Sequence, residues 1–183
     1  MYIMWHFKMT MMCLIAFTTV FTACDTTTDT RYSENATQAR KHYLIARNET
    51  QSGEFHSALD NINRALELQQ NYYYYYLRQK IHNNMESWVN CAEDGDKLIQ
   101  LEPGYFESYL LTAECNYQLG QYKKAITSYD WFILRNDISK PDFFFKRGNS
   151  YLEIGKPKKA ALDWNKACYL DNTYCSNFPK LIN

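Results

Sequence analysis

The chain has 183 residues, enough for one domain of ordinary size, and its 20 basic residues balance its 20 acidic residues. This balance argues against a nucleic-acid binder and against a polybasic membrane patch, because both depend on an excess of Lys and Arg. Hydrophobic residues make up 46% of the chain, which is enough for a core and too many for global disorder. With 6 Gly and 4 Pro, the chain has few residues for the many tight turns of an all-β fold.

An apolar run at the N-terminus is typical of an export signal. Residues 9–21 are nearly all apolar or Thr, and Lys8 is the one basic residue before them. The run is shorter than the roughly 20 residues of a transmembrane helix, and it matches the hydrophobic region of a secretory signal. It ends in FTAC at positions 21–24, followed by a polar stretch. This ending resembles a bacterial lipoprotein signal, although Phe21 replaces the leucine that is usual there.

The resemblance implies a signal peptide over residues 1–23, a lipid on Cys24 and a polar tether over residues 24–35. It also implies an exported protein, lipid-anchored to a membrane of a bacterial cell envelope, with the outer membrane preferred over the inner one. Two alternatives remain open. One is an ordinary secretory signal in which Cys24 is incidental, and the other is an uncleaved anchor.

Three columns of residues recur at one period along the rest of the chain. The first column begins the second half of each unit: Ala58, Cys91, Ala125 and Ala160. The second column follows seven residues later: Ala65, Leu98, Phe132 and Ala167. The third column precedes the first by twelve residues: Ala46, Gln79, Ala113 and Gly148. The spacings within each column are 33, 34 and 35 residues, and such self-similarity indicates a repeat architecture.

Unit four shows the internal pattern of a unit most clearly. Phe144, Gly148 and Tyr151 lie at i, i+4 and i+7, which places them on one apolar helix face. Gly155 is suited to end that helix, and Pro157 is tolerated in the first turn of the next one. Glycines occupy the same turn in units one and three: Gly53 and Gly120. Each unit is therefore predicted to be two helices around a polar break.

This pattern resembles the tetratricopeptide repeat (TPR), a helix–turn–helix unit of 34 residues. The resemblance implies an all-α fold, an α-solenoid of about four repeats over residues 36–174. The repeats and the C-terminal tail have these approximate bounds: 39–71, 72–105, 106–139 and 141–174, with the tail over 175–183. Unit two departs most from the family pattern, since Gln79 stands where the family has a small residue and Gly95 stands where a large side chain is usual. An exchange of sizes and a looser, weaker repeat are both open interpretations.

The sequence contains no motif for catalysis or for metal binding. It has no HExxH, no His/Cys cluster at metal spacing, no GxSxG and no glycine-rich phosphate loop. We therefore predict no enzymatic activity, no cofactor and no metal site. His42 and His82 fall at aromatic positions of first helices and are interpreted as packing or rim residues. Glu93, Asp94 and Asp96 lack the spacing of a calcium loop and are predicted to form a solvated outer face.

Five consecutive tyrosines, Tyr72–Tyr76, cannot share one helix face, because successive residues are about 100° apart. In the TPR register Tyr75 is a core position. The same register places the following residues in the inner groove: Arg40, Tyr43, Arg47, Tyr73, Tyr76, Lys80, Asn84, Glu107, Glu114, Tyr117, Asp142, Phe145 and Asn149. From these we predict the partner-binding residues: Arg47, Tyr73, Tyr76, Lys80, Glu114, Tyr117, Phe145 and Asn149. The groove is expected to change from basic in units one and two to acidic in units three and four.

The TPR resemblance implies a non-catalytic scaffold or adaptor that binds a partner protein or peptide in the concave groove. With the lipoprotein signal, it suggests a role in a secretion or envelope assembly complex. No nucleic-acid partner is expected. The alternative is a protein that binds a glycan or another small ligand, because tyrosines stack on sugars as well as on peptides.

Four cysteines lie beyond the predicted signal and lipid site, and four cysteines allow three pairings. Cys168 and Cys175 are close enough in sequence to pair across the end of the last helix. Cys91 is interpreted as a buried free cysteine that behaves as a small apolar residue. The pairing of the remaining cysteines is left open.

Overall fold

The computed structural model describes residues 31–135 and 140–176, and every regular element within these ranges is a helix. Helix α1 covers residues 31–52. The others are α2 (Phe55–Leu68), α3 (Tyr72–Asn84), α4 (Trp88–Leu101), α5 (Phe106–Gln118), α6 (Tyr122–Arg135), α7 (Pro141–Glu153), α8 (Pro157–Leu170) and a 3₁₀ turn (Asn172–Tyr174). None of the helices in these ranges combines the length and apolarity needed to cross a bilayer.

Parts of the sequence prediction fall outside these ranges. The signal peptide over 1–23, the lipid site at Cys24 and the apolar end of the tail over 177–183 are outside the described residues. One boundary is corrected, because residues 31–35 of the predicted tether are already helical and belong to α1.

The helices form four consecutive pairs, α1–α2 to α7–α8, and the first helices of successive pairs run parallel. Gln79 of α3 contacts Ser108 and Thr112 of α5, and Lys146 of α7 contacts Glu114 of α5. The residues in each contact are 29 to 33 positions apart, which is close to the length of one unit. Equivalent parts of neighbouring first helices therefore lie side by side. The predicted α-solenoid of four helix–turn–helix units is confirmed.

The turn inside each unit uses a left-handed backbone. Gly53, Gly120 and Gly155 have φ values of 81°, 69° and 72°, a region that favours glycine because it carries no Cβ. Unit two places Glu86 there, with φ of 56°. All residues of the three repeat columns are buried and belong to the interior of the solenoid.

Unit two packs its interior by an exchange of residue sizes between its two helices, with the large residue on α3 and the small residue on α4. Gln79 is fully buried, donates to Thr112 Oγ1 at 2.9 Å and accepts from Ser108 Oγ at 3.3 Å. A Cβ on Gly95 would lie less than 3.0 Å from both Gln79 Nε2 and Thr112 Oγ1. The absence of a side chain on Gly95 therefore leaves the space that the side chains of Gln79 and Thr112 occupy.

Unit four has the opposite arrangement at the same two positions. A Cβ on Gly148 would lie 2.7 Å from the Trp164 ring, so the second helix supplies the large side chain there. The large side chain comes from the first helix in unit two and from the second helix in unit four. The packing therefore supports an exchange of sizes in unit two and not a looser repeat.

Asp94 corrects the prediction of a solvated acidic face. Glu93 and Asp96 are exposed, but Asp94 is buried and accepts from Arg78 Nη2 at 2.6 Å and from Nε at 2.9 Å. His82 is buried beside this pair, with Nε2 3.7 Å from Asp94 Oδ2. Burial lowers the pKa of His82 and outweighs the opposing charge of Asp94.

The Arg–Asp contact recurs in unit four, where Arg147 donates to Asp163 at 2.6 and 2.7 Å. Each arginine also reaches back to the second helix of the preceding unit, Arg78 to Asn63 at 2.8 Å and Arg147 to Asp130 at 2.7 Å. These contacts join neighbouring units.

The interpretation of Cys91 as a free cysteine is wrong. Cys91 in α4 forms a disulfide with Cys115 in α5, with their Cα atoms 6.1 Å apart. This bond joins units two and three. Cys168 and Cys175 form a second disulfide across the end of α8, as their proximity in the sequence suggested.

Candidate binding groove

An open cavity of about 360 Å³ lies between the first helices α3, α5 and α7. Its apolar lining comes from four helices: Tyr76, Leu110, Leu111, Phe132 and Phe143. Its polar lining comes from α3 and α5: Lys80, Asn83, Asn84, Glu107 and Glu114. An apolar floor with a few polar groups at its edge is the usual composition of a ligand pocket.

Three of the predicted partner-binding residues meet at this cavity, namely Tyr76, Lys80 and Glu114. The TPR register also placed Asn84 and Glu107 in the groove, and both line the cavity. Sequence reasoning missed five of the lining residues: Asn83, Leu110, Leu111, Phe132 and Phe143.

Phe132 had a signal in the sequence that the site prediction did not use. It stands in a column that has alanine in units one and four. Its ring meets that of Phe143 edge to face, with the centroids 5.5 Å apart, and the two rings form the floor of the cavity.

The other predicted residues lie outside this cavity. Arg47 is exposed on α1. Tyr117 and Asn149 belong to a hydrogen-bonded chain, in which Asn149 donates to Tyr117 Oη at 3.3 Å and accepts from Trp164 Nε1 at 3.0 Å. Phe145 packs edge-on against Tyr174 of the 3₁₀ turn, at 5.4 Å between ring centroids.

A cluster of tyrosines adjoins the cavity through Tyr76. The ring of Tyr105 lies 5.0 Å from that of Tyr76, 5.6 Å from Tyr72 and 6.1 Å from Tyr73. Burial, followed by the charge of Glu107, raises the pKa of Tyr76. Its hydroxyl therefore stays protonated at neutral pH.

The two remaining tyrosines of the run are core residues. Tyr75 is buried, as predicted, and Tyr74 is also buried. The ring of Tyr74 stacks on Tyr43 of α1 at 5.1 Å. The five tyrosines are thus divided between the core and the tyrosine cluster that adjoins the cavity, because a helix turns by about 100° per residue.

The acidic end of the groove is partly neutralised, by a lysine that the sequence prediction did not include. Lys146 Nζ lies 2.7 Å from Glu114 and 3.1 Å from Asp142. Burial acts to lower the pKa of Lys146, but its hydrogen bonds and ion pairs with both carboxylates raise it overall. Glu114 also accepts from Gln118 at 3.1 Å and from the Tyr129 hydroxyl at 3.4 Å.

The basic end differs from the acidic end. Over residues 31–135 and 140–176, the basic residues Arg47 and Lys80 form no ion pair. Glu107, at the acidic end, also forms no ion pair in these ranges. Lys80 extends over the Tyr76 ring, 5.8 Å from its centroid. In the same ranges no three His, Cys, Asp or Glu side chains cluster as metal ligands.

No protein-family model and no curated protein matches the chain. Solved structures do match. MamA from Desulfovibrio magneticus RS-1 is 17% identical, with a TM-score of 0.69 over 75% of this chain and 79% of that one. YrrB, described as a TPR protein with an unusual peptide-binding site, is 16% identical, with a TM-score of 0.69 over 76% of this chain and 73% of that one. These likenesses show that the chain has the TPR fold.

Proposed function

We propose that this TPR-fold protein is a non-catalytic scaffold that holds a segment of a partner protein in the groove between its first helices. The cavity carries the proposal. Its apolar floor suits a partner side chain, and its amides and charged groups at the edge suit the backbone and flanking side chains of a peptide. The likeness to YrrB, which is described as having a peptide-binding site, supports the same class of function.

The groove is tested by photo-crosslinking in the native host. A crosslinker replaces Tyr76 in the groove or Asp96, which is 53% exposed on α4. We expect one discrete protein adduct at Tyr76, identified by mass spectrometry of the membrane fraction, and none at Asp96. Adducts at Asp96 alone would mean that a different face binds the partner.

The absence of a protein adduct at Tyr76 would favour the glycan alternative, in which the tyrosine cluster stacks on sugar rings. That alternative predicts a rise in melting temperature with oligosaccharides and none with peptides, since a ligand stabilises the state that binds it.

We also propose that the chain is exported and anchored by a lipid on Cys24 in a bacterial envelope, with the outer membrane preferred, where it serves a secretion or assembly complex. The signal-like run over residues 9–21 and the cysteine at position 24 support the export and the lipid anchor. The six residues between Cys24 and residue 31 of α1 span about 20 Å when extended. The anchor would therefore hold the solenoid close to the bilayer.

The anchor is tested by replacing Cys24 with serine in a bacterial host that is fed labelled palmitate. We expect the wild-type chain to carry label and to partition with detergent, and the variant to lose both properties. Cys13→Ser is the matched control, because that cysteine lies within the apolar run, and it should retain both. Label on the Cys24 variant would refute the assignment.

A further inference from the structure

We infer that the groove recognises an acidic segment that carries one large apolar side chain, with carboxylates on Arg47 and Lys80 and the apolar side chain in the cavity. This inference rests on the proposed function and specifies the chemistry of its partner. It is carried by the size of the cavity, by the charges that the fold leaves unpaired, and by the parallel arrangement of the first helices.

The cavity has room for a large side chain. Its volume of about 360 Å³ is more than twice that of a cavity that binds benzene, about 150 Å³. The rings of Phe132 and Phe143 make the floor aromatic, and Leu110 and Leu111 extend the apolar wall. A tryptophan side chain or one of similar size fits this environment, because aromatic rings pack favourably edge to face.

The charges around the cavity favour carboxylates on one side. Arg47 and Lys80 are exposed and form no ion pair over residues 31–135 and 140–176, whereas Glu114 already pairs with Lys146. Glu107 lines the α5 side of the same cavity as Tyr76 and would repel a carboxylate there. A partner's acidic residues are therefore expected over α1 and α3, and none over α5.

The arrangement of the helices sets the spacing within the segment. Arg47 and Lys80 are equivalent positions of units one and two, 33 residues apart, and the stacking of Tyr43 on Tyr74 shows that α1 and α3 lie side by side. Neighbouring helices are about 9 Å apart, and an extended chain covers that distance in about three residues. The expected segment has two acidic residues three positions apart and an apolar residue three positions beyond them.

The test uses fluorescein-labelled nonapeptides and the full chain in detergent micelles, with binding followed by fluorescence anisotropy. The probes are GDSGDSGWG and its reversed sequence. Both are needed because a peptide running in either direction could place the two aspartates and the tryptophan over the same groove residues. We expect one of the two to bind. Replacing the tryptophan by alanine should weaken binding about tenfold or more, and replacing both aspartates by lysines should weaken it about tenfold.

Variants of exposed residues test the assigned positions without threatening the fold. Lys80→Glu should weaken binding of the aspartate probe about tenfold. The same variant should bind a probe that has lysine in place of the central aspartate more tightly than the wild-type protein does. Lys97→Glu, on α4, is the matched charge control and should leave binding unchanged. Asn84→Trp should block binding of every tryptophan peptide, because the new side chain occupies the cavity.

Three outcomes would overturn the inference: no binding of either aspartate probe up to about 1 mM, equal binding of the aspartate and lysine probes, or no effect of Asn84→Trp. If crosslinking at Tyr76 captures a partner while the probes show no preference, the inference fails and the proposed function stands. If crosslinking captures no protein, the proposed function itself fails.

Discussion

Replacing Gly95 by alanine tests the exchange of sizes in unit two. In an exposed helix position, alanine would be favoured over glycine by about 1 kcal/mol. At position 95 the added Cβ would lie less than 3.0 Å from Gln79 Nε2 and from Thr112 Oγ1, which are hydrogen-bonded to each other. Overpacking costs about 1–3 kcal/mol, and a broken buried hydrogen bond costs about 1–3 kcal/mol. The net expectation is a loss of about 1–5 kcal/mol of unfolding free energy.

The assay is urea unfolding of the oxidised protein at pH 7.5, compared through the midpoint and the slope. Glu93, exposed on the same helix, provides the control, because changing it to glycine and to alanine measures the helix propensity alone. We expect Glu93→Gly to be less stable than Glu93→Ala by about 1 kcal/mol, and Gly95→Ala to be less stable than wild type. A Gly95→Ala variant that is more stable than wild type would refute the proposed packing of unit two.

Three further predictions follow from the core. Stability should fall as the pH is lowered from 7.5 to 5.5, because burial lowers the folded-state pKa of His82 below the unfolded value of 6.5 and protonation then favours unfolding. His82→Gln should reduce this pH dependence in urea titrations. A variant with the same pH dependence as the wild-type protein would contradict the role of His82. Asp94→Ala should cost about 2–4 kcal/mol, since it leaves the guanidinium of Arg78 partly buried and unpaired, whereas an effect below about 0.5 kcal/mol would count against the buried pair. Cys91→Ala combined with Cys115→Ala should cost about 2–4 kcal/mol, and non-reducing peptide mapping should find these two cysteines linked; a different pairing would refute the assignment.

Much of the fold was predictable because its signals are local or strictly periodic. The three repeat columns recur every 33 to 35 residues, and all of their residues are buried. Gly120 and Gly155 mark turns because a left-handed backbone favours glycine at any position in a chain. The register also placed Tyr76 and Lys80 on the face where the cavity lies.

The rest depended on neighbours that periodicity does not identify. Asp94 reads as one of three acids on an exposed face until Arg78, 16 positions away, is placed against it. The bond between Cys91 and Cys115 likewise requires knowledge of which helices of neighbouring units touch. Sequence spacing predicts the face on which a side chain lies, but it does not predict the partner across an interface.

The sequence by itself therefore determined the all-α repeat architecture, the number of units and the helix faces that meet in the core. Only the tertiary structure decided that Gln79 fills the space beside Gly95 and that Phe132 and Phe143 form one cavity floor. The physical reason is that helix periodicity arises within a few residues of chain, whereas packing volumes and ion pairs arise between helices of different units.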